Sequence, residues 1–175
     1  MLKFDEQMLI RELNRLPQRS RTAFAASCAQ RLADVGRRFL AQAGKSDRTS
    51  ACDRALEIVW SHILNPPEGG TAEQLLADIV ALIPDQDAPG WTPLTAYGDD
   101  ALSALAYCVS CLEFGDAQDA AWAARRVYEA VDCFVTNRDN ITSGDSEAET
   151  RVLSSSLVQS ELQRQARDVD ELSRL

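Results

Sequence analysis

Between Ala55 and Ala124 the chain has neither lysine nor arginine. A stretch this long without a cation offers nothing to phosphate groups, which excludes a nucleic-acid interface built on it. Histidine is nearly absent too. His62 is the only one, so the paired Glu-x-x-His ligands of a di-metal helical bundle cannot be assembled. No glycine-rich phosphate loop, dinucleotide fingerprint or H-E-x-x-H segment occurs, and the cofactor and metal chemistries those motifs serve are not expected. No apolar run approaches the ~18 residues of a membrane span. The opening Met1-Leu2-Lys3-Phe4-Asp5-Glu6 turns charged at once, unlike a signal peptide. These absences together lead us to expect a soluble cytoplasmic protein without cofactor, metal, nucleic acid or membrane partner.

What is present is ordinary for a globular chain: 175 residues, 45% hydrophobic and 26% charged. A chain of that length buries enough surface to fold without disulfide or metal. Five cysteines, an odd number on helical segments, are expected to stay reduced. Cys108 and Cys111 form a C-x-x-C, but well inside the apolar run Leu105 to Leu112 rather than at a helix start, where a redox pair gains its reactivity. No second close Cys/His pair completes a zinc site. Both cysteines are read as small core residues, and His62, within Ile58-Val59-Trp60-Ser61-His62-Ile63, as structural.

Apolar spacing predicts an all-α, single-domain, irregular bundle of about seven helices spanning residues 1–175. Phe24, Cys28, Leu32, Val35 and Phe39 recur every three or four residues, as one face of a helix from Arg21 to Ala43 requires. Earlier, a helix from Asp5 stops before Pro17; later, one from Ser50 ends at Asn65-Pro66-Pro67. Thr71-Ala72-Glu73-Gln74 and Ser146-Glu147-Ala148-Glu149 read as capping boxes. A long irregular loop is expected over Asp85 to Gly98. The most buried helix follows from about Asp99 to Phe114, then one capped by Asp116, and a last helix over Ser146 to Leu175.

Charge is unevenly spread. Residues 1–54 hold eleven cations and six acids; residues 55–124 hold eleven acids and no cation; residues 125–175 hold seven cations and ten acids. An acidic field of this kind attracts basic proteins and speeds their encounter. Trp91 and Tyr97 lie among Asp85, Asp87, Asp99 and Asp100, with Asp116 and Asp119 farther along. An aromatic anchor ringed by charge is the composition of a protein-binding hot spot, and these eight residues are the candidate partner-binding set. The other reading has Trp91 plugging the core and the acids serving solubility. Among the N-terminal arginines, Arg11, Arg15, Arg19 and Arg21 are interleaved with acids and lack stacking aromatics, as a solvated helix face would.

Three segments carry a resemblance. Phe24-Ala25-Ala26-Ser27-Cys28-Ala29-Gln30-Arg31, Asp53-Arg54-Ala55-Leu56-Glu57-Ile58-Val59-Trp60 and Asp100-Ala101-Leu102-Ser103-Ala104-Leu105 follow the order and character of the YjaG-like family of small bacterial all-helical proteins of unknown function. The resemblance implies an all-α fold and no catalytic residues.

No residue set points to catalysis. The expected function is therefore a non-enzymatic protein-binding protein. Its most concrete form is a bacterial immunity protein that neutralises a basic toxin through an acidic surface. The alternative is a YjaG-like housekeeping protein acting as an adaptor or homodimer.

Overall fold

A computed structural model of the chain describes residues 1–65, 72–87, 89–142 and 146–175. The described residues form eight α-helices, one 3₁₀ turn and no strand. The helices are α1 (Glu6–Leu13), α2 (Gln18–Gln42), α3 (Thr49–Leu64), α4 (Glu73–Val80), α5 (Pro93–Phe114), α6 (Ala117–Arg138), α7 (Ala148–Ser154) and α8 (Ser156–Leu172), with the turn at Ser46–Arg48 before α3.

The long α2 and α5 pack on each other most extensively and form the centre, flanked by α3 and α6. Of the α5 residues, Ala101, Leu102, Ala104, Leu105, Cys108 and Val109 are all buried. This helix is apolar nearly all round, as a central helix must be. Its approach to α2 depends on Gly98: a Cβ there would lie 2.2 Å from Cγ of Phe39. The alanines of α6 (Ala120, Ala121, Ala123 and Ala124) are fully buried and let α6 close on the same centre. A second, smaller cluster gathers Val135, Ile141, Val152, Leu153, Val158 and Leu162 where α6, α7 and α8 meet. Phe4 joins it, stacked on Tyr128 at 5.2 Å.

Helix ends follow local chemistry. Gly115, at φ 72°, closes α5 in the left-handed region that glycine favours. Gln18 Nε2 donates to the Leu112 carbonyl at 3.1 Å, satisfying a terminal acceptor. Asp116 caps α6 as expected, its carboxylate accepting from the Gln118 amide at 2.9 Å.

Three sequence expectations need correction. First, the irregular stretch is shorter than Asp85 to Gly98, because α5 begins at Pro93, six residues before Asp99. Thr92 is its N-cap in a reciprocal box with Thr95, and Pro93 supplies the preset φ of a first helical residue. Second, the helix expected over Ser146 to Leu175 is two helices. Ser155 turns extended (ψ 134°) between them, in a run of three serines whose hydroxyls compete for backbone groups: Ser154 Oγ donates to the Arg151 carbonyl at 2.9 Å. Third, Glu147, not Ser146, takes the N-cap of α7. The capping box assigned to Thr71 lies outside the described residues. In α4 the N-cap is Ala72, whose amide donates to the Glu113 carboxylate of α5.

Candidate functional site

Of the eight candidate residues, Asp85, Asp87, Trp91 and Asp116 are exposed, Tyr97 is half-buried, and Asp99, Asp100 and Asp119 are buried. The set is therefore split between two environments.

The buried part is an ionic cluster between α5 and α6. Two turns into α5, Asp99 and Asp100 face Arg126 of α6, whose Nη1 lies 3.7 Å from Asp99 and 3.3 Å from Asp100. Glu129 completes the shell at 3.4 Å. Burial pushes the Asp100 carboxyl up to about 6, against the attraction of Arg126. Asp119 accepts from Ser110 Oγ at 2.7 Å, and its carboxyl is also raised by burial. These acids are engaged inside the bundle and are not part of an exposed acidic face. Arg126 was the residue the sequence reading missed. Its signal was a pair of arginines, Arg125-Arg126, within the alanine-rich run of a helix that must be buried on one side.

The exposed part runs along α4 and the connection to α5. Glu73 and Asp78 on α4, then Asp85 and Asp87, are exposed, and no ion pair reaches any of the four from a described residue. Asp85 accepts from the Asp87 amide at 3.0 Å, which orders the turn. Trp91 is 40% exposed and Val80 51%, so this acidic surface carries apolar area as well. Tyr97 points elsewhere: its hydroxyl accepts from Asn137 Nδ2 at 3.2 Å, and its ring lines a groove of about 410 Å³ between α2, α6 and α8. Phe134 and Leu157, 46% and 41% exposed, stand at that groove. Beneath it, Arg31 of α2 binds Glu161 at 2.8 Å and Asp168, both on α8.

The buried thiols Cys28, Cys52, Cys108 and Cys111 are poor nucleophiles. Burial pushes Cys28 up to about 12 and Cys52 and Cys111 to about 11. His62 Nδ1 is 2.8 Å from the Ile58 carbonyl of its own helix. Among the described residues, no three of His, Cys, Asp and Glu converge as a metal ligand set, and no helix is long and apolar enough to cross a membrane.

The model of a family described as "Protein of unknown function (DUF416)" matches residues 8–175. The fold is similar to the crystal structure of a DUF416 family protein from Shewanella baltica OS155, with a TM-score of 0.77 at 14% identity, over 95% of this chain and 84% of that one. No curated protein matches. The chain belongs to the DUF416 family.

Proposed function

We propose that this member of the DUF416 family is a non-catalytic cytoplasmic protein that binds a basic protein partner, most concretely a bacterial immunity protein that covers and neutralises a toxin. The observation that carries this reading is the surface of α4 and the following connection. Glu73, Asp78, Asp85 and Asp87 are exposed there without an ion-pair partner among the described residues, beside the partly exposed Trp91 and Val80. Four carboxylates that make no ion pair with a described residue, although Arg48 and Arg54 line the same pocket as Asp78, attract a basic surface and raise its rate of encounter. Trp91 and Val80 supply the apolar area on which a contact core can form. Asp99, Asp100 and Asp119 support the helices rather than the contact, and Asp116 caps α6.

The test is a pull-down with tagged protein at low and moderate salt. The reading requires a basic partner at low salt whose binding Asp85→Lys, Asp87→Lys and Trp91→Ala together remove. Recovery of the same partner by that triple variant would sink it.

The second reading is a YjaG-like housekeeping protein that works as an adaptor or homodimer. The apolar edges Phe134 and Leu157, both well exposed on one side of the bundle, favour it. Light scattering separates the two: a dimer broken by Phe134→Glu supports the second, and a monomer supports the first.

A further inference from the structure

The groove between α2, α6 and α8 lies away from α4, and the partner-binding reading makes no use of it. Its volume of about 410 Å³ falls in the range of small-molecule sites. The floor is aliphatic. Leu32 and Ala130 are buried, Val35 and Val131 half-buried, and Phe134 and Leu157 stand as partly exposed walls.

Apart from Tyr97 of α5, whose hydroxyl accepts from Asn137, the polar groups come from α8: Ser160, Glu161 and Arg164. Glu161 is buried and its Oε1 already accepts from Arg31 Nη1 at 2.8 Å and Gln165 Nε2 at 2.9 Å, with Arg31 shared between it and Asp168. Ser160 and Arg164 stand one turn apart on the same helix face. Both are exposed, and Arg164 makes no ion pair with any described residue. The groove thus joins an apolar floor to a polar end that offers a guanidinium and a hydroxyl, on a protein whose formal net charge is −9. A guanidinium matches a planar carboxylate bidentately, and a serine hydroxyl can donate beside it. A single aliphatic chain suits a floor of Leu, Val and Ala better than a polar or two-chained ligand would.

We infer that this groove binds a small amphipathic monocarboxylate, with its aliphatic chain along Leu32, Val35, Ala130 and Val131 and its carboxylate on Arg164 and Ser160. The groove distinguishes such a ligand from a cationic or neutral amphiphile by charge alone.

Isothermal titration calorimetry with decanoate, below its micelle concentration, tests this directly, with decylamine and decanol as comparators. The intact protein should bind decanoate one to one and decylamine not at all. Arg164→Gln should weaken decanoate by about ten-fold or more, the worth of a charge-assisted contact, while leaving decanol unchanged. Leu157→Glu, at an exposed position where the fold tolerates it, should abolish decanoate binding without lowering the melting temperature. The inference is overturned by any of three results: no decanoate binding up to about 1 mM, equal binding by Arg164→Gln, or equal binding of decylamine. A dimer that Leu157→Glu converts to monomer would also overturn it, because the groove would then be covered by a second copy. None of these results touches the acidic surface on α4, so this inference and the partner-binding reading fail separately.

Discussion

Arg126 Nη1 stands 3.3 Å from Oδ1 of Asp100, yet this cation does not keep the carboxyl in its ordinary range. Asp99, Asp100 and Glu129 all share the one guanidinium. Desolvation of Asp100 between α5 and α6 outweighs its share of that attraction, and the carboxyl rises from 3.8 to about 6.

The sign of the pH dependence follows. Between about pH 4 and pH 6 the folded chain keeps a proton on Asp100 that the unfolded chain releases. Stability contributed by this group is present at low pH, is lost as pH rises through that window, and stays lost above it. Asp100→Asn mimics the neutral carboxyl. It should be more stable than the natural chain at pH 7.5, by on the order of 1 kcal/mol after solvent screening, and indistinguishable from it near pH 4. Urea denaturation of both proteins across that range measures the difference, and a constant difference would contradict it.

Gly98→Ala should destabilise, although alanine in a helix normally gains about 1 kcal/mol over glycine. The added methyl meets the Phe39 ring at 2.2 Å, and overpacking of this kind costs about 1–3 kcal/mol. Phe39→Leu should recover part of that loss in the double variant, and a double-mutant cycle reads the coupling. Additive effects would argue against the contact.

Thr92→Ala removes the acceptor for the Thr95 amide, 3.1 Å away, and frees the first turn of α5. The expected loss is about 1 kcal/mol with an unchanged denaturant slope. A neutral substitution would mean that the box at Thr92 does not hold the helix start.

Native thiol titration with an aromatic disulfide reagent should modify Cys133 alone. Cys28, Cys52, Cys108 and Cys111 are buried, and Cys133 is half-buried. All five should react once the chain is denatured. Rapid labelling of Cys108 or Cys111 in the folded protein would mean that α5 opens far more readily than its burial implies.

The helices were legible wherever the apolar repeat was long, as with Phe24 through Phe39, or where a single residue type decides an end, as with Gly115 and Asp116. The start of α5 was not, because the long polar and turn-rich connection drew the boundary towards Asp99 although Thr92-Pro93 already spelled a helix start. The exposure of the candidate residues was legible in part. Asp85, Asp87 and Trp91 have the exposure their composition suggested. Asp99 and Asp100 do not, because whether an acid faces water depends on a counter-ion in another helix, here Arg126, and one-dimensional charge patterns carry no such information. The groove at Phe134 and Leu157 was hidden for a similar reason: each residue sits in an unremarkable helical repeat, and only the packing of three helices leaves the space between them.

The ties of Arg31 have a consequence for how α8 finds its place. Glu161 and Asp168 are spaced seven residues apart, two turns along one face, and Arg31 reaches both. If α8 slid by a single turn along α2, its apolar residues could still meet aliphatic neighbours, since such contacts are tolerant of small shifts. The two carboxylates could not follow: Glu161 would be buried away from its cation, at a cost of about 3–5 kcal/mol. One guanidinium thus sets the register of the last helix, selecting a single alignment from several that greasy packing alone would accept.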